Sequence, residues 1–240
     1  MSNDTFEYLG SELELFATAR HWKTYLKDQL APHLGQDVLE VGAGLGGTTA
    51  LLAGPQQRRW VCLEPDPALA ERITAAIAKE SLPEGCTVRV GTLAEAPELV
   101  GFDTILYIDV LEHIEADREE LAIAAERLRP GGRLVVLSPA HQWLFSPFDA
   151  AIGHYRRYDR RSLERITPSG ARLVSIRFLD SVGMLASSAN RLVLKSAHPT
   201  PAQIHFWDST LVPISRRIDP WFGHRLGKSI LAVWEMPSSG

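Results

Sequence analysis

The sequence is poor in cysteine, in long apolar runs and in excess positive charge, and each shortage excludes a class of protein. Only two of the 240 residues are cysteine, so a disulfide framework is excluded and reduced buried thiols are expected at Cys62 and Cys86. No apolar stretch approaches the roughly 18 residues that a membrane-spanning helix needs. The formal net charge of −4 disfavours a general nucleic-acid-binding surface, although it leaves room for local basic patches.

The remaining composition is that of an ordinary globular domain, with 45% hydrophobic and 22% charged residues. A chain of 240 residues is long enough for one well-buried core, so we expect a single domain over residues 1–240. The polar start, M-S-N-D, lacks the apolar segment of a secretory signal. The expected localisation is therefore cytoplasmic.

Short β-rich runs alternate with helical patterns in the first part of the chain. The predicted strands there are residues 38–41, 60–63, 88–90, 104–108 and 134–137, and the predicted helices are residues 48–53, 68–79 and 117–128. This alternation predicts right-handed βαβ units and a parallel sheet covered by helices on both faces. Ahead of the first strand, apolar residues at helical spacing over 9–31 predict a helical cap within residues 1–35.

The pattern changes beyond residue 140. A polar, aromatic segment leads to a short predicted helix at 161–166, and two further strands are predicted at 172–178 and 229–234. The stretch between these two strands is much longer than an ordinary loop of about 4–6 residues. We therefore predict an insert over residues 180–228 that covers the substrate site.

The strongest local signal is the run V-L-E-V-G-A-G-L-G-G at residues 38–47. A buried strand enters a glycine loop and a helix follows, so the backbone can turn sharply while helix N–H groups point toward a ligand. Glu64 ends the next predicted strand, where a carboxylate can accept hydrogen bonds from both hydroxyls of a ribose. These features predict a bound nucleoside.

The glycine pattern by itself leaves alternatives. Gly42, Gly44 and Gly47 also satisfy G-x-G-x-x-G, the dinucleotide pattern of a nicotinamide dehydrogenase, and glycine-rich turns occur without any ligand. The position of Glu40, two residues before the first glycine, is unfavourable beside a pyrophosphate and favourable beside an ammonium group. This argues against the dehydrogenase.

The motif Glu40-x-Gly42-x-Gly44-x-Gly46 resembles the first motif of class I S-adenosylmethionine-dependent methyltransferases. In that family the acid faces the amino group of the methionine moiety, an acid in the place of Glu64 binds the ribose, and the residues in the place of Thr92 and Leu93 flank the adenine. Thr92 stands where many members have an aspartate. The cofactor-binding residues that the resemblance implies are Glu40, Gly42, Ala43, Gly44, Gly46, Glu64, Pro65, Thr92, Leu93 and Asp109.

The resemblance extends over roughly residues 36–178 and also implies the fold. Leu128-x-Pro130-Gly131-Gly132 matches the turn before strand five, and residues 229–234 fit the extra antiparallel strand. The expected architecture is α/β, a doubly wound seven-stranded, mostly parallel sheet in the order 3-2-1-4-5-7-6. S-adenosylmethionine is the implied cofactor, and the ubiquinone-biosynthesis O-methyltransferase-like branch is the most similar.

Residues 109–113 read D-V-L-E-H directly after the fourth predicted strand, whose end faces the methyl donor in this family. The spacing places Asp109, Glu112 and His113 on one side of a helical turn. Three interpretations stay open. The side chains could start a helix, His113 could take a proton from the nucleophile, or the three could bind a metal ion.

His154, in the segment after strand five, bears on the choice among these three interpretations. Its placement is similar to that of a segment in two metal-using branches, the O-methyltransferases of ubiquinone biosynthesis and the 2′-O-methyltransferases of small-RNA 3′ ends. This resemblance implies a Mg²⁺ ion held by Asp109, Glu112, His113 and His154. Without a metal, His113, His154 and Asp109 are the candidate catalytic residues for acid–base chemistry.

The predicted reaction is methyl transfer to an oxygen or nitrogen of a small-molecule acceptor. The late insert is locally basic and aromatic, which favours an anionic or lipid-like acceptor, through Arg216, Arg217, Arg225, Lys228, Trp207, Trp221 and Phe222. Arg156 or Arg157 is a further candidate for binding a carboxylate or phosphate. The alternatives are an RNA or protein methyltransferase, which the acidic balance disfavours, and a non-catalytic nucleoside-binding module.

Overall fold

The computed structural model describes residues 18–83, 85–189 and 200–238, and a seven-stranded sheet forms their centre. The strands are β1 (Asp37–Val41), β2 (Arg59–Glu64), β3 (Cys86–Val90), β4 (Phe102–Ile108), β5 (Leu128–Pro139), β6 (Arg172–Leu179) and β7 (Ser229–Glu235). Their order is β3-β2-β1-β4-β5-β7-β6. Strand β7 runs antiparallel to β5 and β6, whereas the pairs from β3 to β5 are parallel. The predicted fold class and strand order are confirmed.

Helices flank the sheet. They are α1 (Arg20–Leu30), α2 (Gly47–Leu52), α3 (Pro67–Ala78), α4 (Asp117–Arg127), α5 (Pro147–Ala151), α6 (Arg160–Arg165), α7 (Ser181–Ala189), α8 (Pro201–Phe206) and α9 (Val212–Ile218). The cap helix predicted over 9–31 is present from residue 20, and its earlier part lies outside the described residues. Within the described ranges, none of the helices is both long enough and apolar enough to cross a membrane.

The core has two layers because every residue of β1 is buried and successive side chains point to opposite faces. One layer lies under α1 and the insert and includes Leu26, Trp207 and Val212. The other lies under α4 and α6 and includes Leu121 and Leu163.

Strand β5 begins earlier than predicted. Leu128 already pairs with Phe102, and the register then skips to Thr104 opposite Arg133, so the predicted Pro130–Gly132 turn is a bulge inside the strand. Glycine is required there, since a Cβ on Gly132 would lie 2.8 Å from the carbonyl oxygen of Arg129. The bulge shifts the start of the strand and leaves its carboxyl end in place.

A buried carboxylate fixes the insert to the rest of the fold. Asp219 is 1% exposed and accepts hydrogen bonds from Tyr25 Oη on α1 at 2.8 Å and from the backbone N–H of Asp180 at 2.8 Å. It also accepts from the backbone N–H and the hydroxyl of Ser181, at the start of α7. One side chain thus joins α1, the end of β6 and the insert.

We expect Asp219→Ala to lower the free energy of unfolding by about 3 kcal/mol or more, because several buried donors would lose their acceptor at once. Asp28→Ala is the matched control. Asp28 also links α1 to the insert, through Arg216 at 2.6 Å, but both side chains are 46% exposed, so its loss should cost less than about 1 kcal/mol. Urea titration measures both; equal losses would contradict this assignment.

Candidate active site

The glycine loop lies at the carboxyl end of β1, where the N–H groups of Gly42 and Ala43 donate to the carbonyl of Leu63 in β2. Gly42, Gly44 and Gly46 have φ values of +68°, +56° and +73°, which side-chain-bearing residues rarely adopt. A Cβ on Gly42 would also lie 2.6 Å from Val110 Cγ2. The loop therefore touches the segment that follows β4.

Glu64 ends β2 directly beside this loop and is 4% exposed. Its Oε2 accepts from the N–H of Gly44 at 2.7 Å, and its Oε1 accepts from the N–H of Asp66 at 3.0 Å. Burial raises the pKa of Glu64, while these two N–H groups oppose the rise. Each oxygen keeps a second lone pair, so the carboxylate can still accept from two ribose hydroxyls.

Glu40 lies in β1 and is 2% exposed. Its Oε2 accepts from the Thr49 hydroxyl at 2.5 Å and from Trp60 Nε1 at 2.9 Å. Burial raises the pKa of Glu40 to about 7, although these hydrogen bonds favour the ionised form. An arriving ammonium group would favour ionisation further, which fits the predicted contact with the amino group of the cofactor.

The raised pKa of Glu40 gives a prediction about stability and pH. Between the unfolded pKa of about 4.5 and the folded pKa of about 7, the folded state binds a proton that the unfolded state lacks, so stability falls as pH rises through this window. Glu40→Gln removes the charge and keeps an oxygen for Thr49 and Trp60. Relative to wild type, the variant should gain on the order of 3 kcal/mol between pH 4.5 and pH 8 in urea titrations without ligand. An equal difference at both pH values would contradict this account.

The residues predicted to flank the adenine differ in how far they are exposed. Thr92 is exposed, and its N–H and hydroxyl both donate to Glu95 Oε2, at 2.9 and 2.8 Å. Leu93 is 1% exposed and packs in the core, whereas Pro65 is half-buried beside Glu64. Their adenine contact stays a prediction, and for Leu93 it would have to involve mainly backbone.

The D-V-L-E-H segment forms a 3₁₀ turn over Leu111–His113, and helix α4 begins only at Asp117. Of the three open interpretations, the one in which these side chains start the next helix does not fit, because Ile114 at the end of the turn is extended with φ −103° and ψ 116°. The turn places Glu112 at 0% exposure and leaves Asp109 exposed.

Glu112, His113 and His154 converge. Each offers a ligand atom, and these atoms all lie within 4.8 Å of one another. The rings of His113 and His154 are 4.5 Å apart in an edge-to-face arrangement, and Nε2 of His154 lies 3.9 Å from Oε1 of Glu112. The structure therefore brings together three of the four predicted metal ligands.

Asp109, the fourth, lies beside this cluster rather than in it. Protein around its carboxyl group raises the pKa of Asp109 to about 6, against the lowering influence of His154 and then Lys228. Because the residue keeps an exposed surface, water screens part of this effect. Asp109 thus lies at the end of β4 with part of the residue exposed and its carboxyl group near His154 and Lys228.

Asp149 orients His154 and was not predicted. Its Oδ1 lies 3.0 Å from Nδ1 of His154, and Arg157 binds the same carboxylate through two hydrogen bonds of 2.9 Å. Although burial acts in the opposite direction, the hydrogen bonds from His154 and Arg157 hold the pKa of Asp149 well below its usual value. The sequence carried a signal, since S-P-F-D at 146–149 is a helix-capping pattern and a capping box forms there.

This hydrogen bond fixes the orientation of the His154 ring. An ionised carboxylate only accepts, so Nδ1 of His154 is assigned as the donor to Asp149, and Nε2 faces Glu112. Both carboxylate oxygens of Glu112 are buried without a hydrogen-bond partner. Burial, followed by the charge of Asp109, raises the pKa of Glu112 well above its usual value. Nε2 of His154 and the carboxylate of Glu112 can face each other in this buried position only with a proton or a cation between them.

His113 is neutral at physiological pH, because burial and the neighbouring His154 lower its pKa to about 4. The two arginines considered as anion-binding residues are both engaged with protein carboxylates. Arg157 binds Asp149, and Arg156 pairs with Asp117 at 2.6 Å. They stabilise the segment that carries His154.

Backbone strain marks the same end of the sheet. Asp109, His141 and Asp180 follow β4, β5 and β6 and have φ values of +55°, +65° and +65°. Such conformations cost energy and tend to collect at functional sites. The strained positions border the space above the ends of these strands.

Comparison with known proteins gives a family. The model of a methyltransferase domain matches residues 12–168, more than half of the chain. An uncharacterized methyltransferase of Bacillus cytotoxicus is 32% identical over 130 residues, 52% of this chain and 57% of that protein. The ubiquinone/menaquinone biosynthesis C-methyltransferase UbiE of Paracoccus denitrificans is 30% identical over 162 residues, 62% of this chain and 65% of that protein.

Among solved structures, coclaurine N-methyltransferase bound to N-methylheliamine and S-adenosylhomocysteine is similar in fold, with a TM-score of 0.62 and 15% identity. The alignment covers 89% of this chain and 72% of that one. The chain spans less than two-thirds of the length of either curated relative. With its fold, glycine loop and matched domain, this chain belongs to the class I S-adenosylmethionine-dependent methyltransferase family.

Proposed function

We propose that this protein transfers the methyl group of S-adenosylmethionine to an oxygen or nitrogen of a small-molecule acceptor. The observation that carries the proposal is the cluster of Glu112, His113 and His154 at the end of β4. Val110, within the same segment, touches the glycine loop at Gly42. A methyl donor held by that loop would have its reactive end beside a set of polar side chains.

In this proposal the nucleoside half of the cofactor is held at the edge of the sheet and its methionine half along the loop. Glu64 accepts the ribose hydroxyls, and Glu40 meets the ammonium group. The nucleophile attacks the methyl carbon in line with the carbon–sulfur bond, which breaks to leave S-adenosylhomocysteine. Positioning supplies much of the rate in such a displacement, and the acceptor must also lose a proton.

The cluster supplies a place for that proton. Nε2 of His154 is held in a fixed direction by Asp149 and Arg157. Neutral His113 lies next to it and can pass a proton on. Since His154 touches the reacting group in this proposal, it acts as the general base, and Asp149 acts as the residue that positions it.

The same residues fit a divalent cation. The buried oxygens of Glu112, which have no hydrogen-bond partner, and Nε2 of His154 form a donor set that a cation could occupy. Two imidazoles with one carboxylate suit a transition ion such as Mn²⁺, Fe²⁺ or Zn²⁺ better than Mg²⁺, which prefers oxygen ligands. A bound cation would lower the pKa of an acceptor hydroxyl and fix its oxygen. The resemblance alone suggested Mg²⁺, and this donor set favours it less.

Family membership leaves the acceptor atom open, since the similar proteins named above act on carbon and on nitrogen. The locally basic insert favours an anionic or lipid-like acceptor, and its Lys228, which pairs with Asp180 at 3.4 Å, lies close enough to Asp109 to influence the pKa of that residue. An RNA or protein acceptor is the second candidate, disfavoured by the net charge of −4.

Incubation of a cell extract with methyl-labelled S-adenosylmethionine tests the proposal. The extract is separated into low-mass solutes, lipids, RNA and protein, and the label is counted in each. We expect wild type to label the low-mass or lipid fraction. Label confined to RNA or protein would overturn the acceptor class, and no label in any fraction would overturn the activity.

A further inference from the structure

An exposed aromatic loop, which we call the 220–226 loop, lies at the end of the insert. Trp221 is 88% exposed, Phe222 is 55% exposed and Leu226 is 46% exposed. With Pro220, Gly223 and Arg225 they line one shallow, solvent-open depression. Large apolar side chains grouped this way on a surface usually mark a contact with a partner or a membrane.

The loop is held in a fixed shape, so the exposure of Trp221 is built into the fold. Two residues before Trp221, the side chain of Asp219 is buried and binds to α1 and to the end of β6. The N–H of His224 donates to the carbonyl of Asp219 at 2.9 Å, and the N–H of Gly223 donates to Pro220 at 3.0 Å. Gly223 closes the turn with φ +59°.

The surroundings of the loop are positively charged. Arg217 and Arg225 are exposed and make no ion pair with any described residue, whereas Arg216 is partly neutralised by Asp28. The only acid between residues 214 and 228 is Asp219, whose carboxylate is turned into the core. A chain with a net charge of −4 thus carries a basic surface around its most exposed tryptophan.

The loop also sits at the catalytic end of the sheet. The carbonyl of Lys228 accepts from the N–H of Ala140 after β5, at 2.7 Å, and the carbonyl of His224 accepts from Phe178 in β6, at 2.8 Å. Asp109 and the glycine loop lie at the same ends of the strands. The loop therefore lies at the same end of the sheet as the proposed site.

We propose that the 220–226 loop docks this protein on the headgroup layer of an anionic lipid bilayer. The rings of Trp221 and Phe222 would insert at the boundary between headgroups and acyl chains, a region where tryptophan is enriched in membrane proteins. Arg217 and Arg225 attract the negative surface, a contribution of about fivefold in partitioning for each basic residue. In a symmetric pair of copies the same basic loop would face itself, so repulsion between like charges favours anionic lipid over a second copy as the occupant. The proposal stands apart from methyl transfer, since it needs neither donor nor acceptor.

Co-sedimentation with vesicles tests the docking in the absence of any cofactor. Wild type should bind vesicles of mixed phosphatidylcholine and phosphatidylglycerol, and bind pure phosphatidylcholine far less. Raising the ionic strength should release it. The double variant Trp221→Ser/Phe222→Ser should lose binding, and Arg217→Gln/Arg225→Gln should weaken it by roughly 25-fold, from about fivefold for each residue.

Matched controls on the rest of the molecule separate docking from general stickiness. Arg160→Gln/Arg161→Gln removes two exposed charges from the first turn of α6, whose Leu163 packs on the opposite face of the sheet. Val100→Ser removes an apolar side chain that is 48% exposed just before β4, at the other end of the strands. Both should bind like wild type.

Three results would overturn the proposal. These are equal binding to neutral and anionic vesicles, full binding by Trp221→Ser/Phe222→Ser, and no binding by wild type. Light scattering without lipid identifies the competing occupant. A dimer that disappears in Trp221→Ser/Phe222→Ser would assign the loop to self-association instead. If the protein fails to bind vesicles but transfers methyl groups, the proposed function stands and the docking proposal fails. If it binds vesicles but transfers no methyl group, the docking proposal stands and the proposed function fails.

Discussion

Glu112→Gln is expected to lower methyl transfer by about 10²–10⁴-fold while S-adenosylhomocysteine binds as in wild type. The side chain is fully buried, has no hydrogen-bond partner and faces His154 at 3.9 Å. Glutamine fills the same volume but neither ionises nor compensates a cation. The free energy of unfolding should stay the same or rise, because an uncompensated buried carboxyl group is removed.

Turnover is measured with whichever fraction the labelling experiment identifies, and binding is measured by calorimetry. Glu115→Gln is the matched control, since it makes the same change at an exposed position three residues further on. A Glu112→Gln protein that is less stable but fully active would make the D-V-L-E-H turn merely structural. Chelator treatment then divides the remaining mechanisms, because it abolishes turnover only where a metal is used and leaves an acid–base site untouched.

Glu64→Ala is expected to weaken S-adenosylhomocysteine binding by about 1.5–3 kcal/mol, or roughly tenfold to hundredfold. The two ribose hydroxyls would lose the carboxylate that accepts their hydrogen bonds. Glu71→Ala, on the exposed side of α3, should bind normally. NADH should bind neither protein, since Glu40 is unfavourable beside a pyrophosphate.

The substitution also removes the acceptor of the Gly44 and Asp66 N–H groups, so a loosened loop has to be distinguished from a lost contact. A 2′-deoxyribose analogue makes the distinction through a double-mutant cycle. If Glu64 binds that hydroxyl, the analogue should bind wild type more weakly than the parent compound does, and Glu64→Ala should bind both equally. An undiminished preference for the parent compound in Glu64→Ala would remove the residue from the ribose site.

The features predictable from the sequence were those whose cause is local. The glycine loop and Glu64 are recognisable because the turn demands glycine and the acid follows directly from a strand. The place of β7 between β5 and β6 was predicted from family resemblance, since the periodicity of strands in a sequence does not reveal their order in the sheet. The extent of β5 was missed because its first residues pair across a bulge, which alternation does not reveal.

Within the candidate site, the meeting of His154 with Glu112 and His113 was anticipated from resemblance, and their partners were not. Asp149 and Arg157 bind each other and orient His154 only once the segment has folded. In the sequence, Arg157 therefore resembles a residue that binds a ligand. The buried network of Asp180, Trp207 and Asp219 joins positions far apart in sequence, so no short pattern announces it. Long-range polar contacts of this kind depend on the tertiary fold.

A crystal structure of the S-adenosylhomocysteine complex tests the central claim most directly. We predict ribose hydroxyls on Glu64, the amino group beside Glu40, and the sulfur oriented so that a methyl group would point toward Glu112 and His154. A nucleoside bound elsewhere, or a sulfur facing away from the Glu112–His154 cluster, would contradict the account.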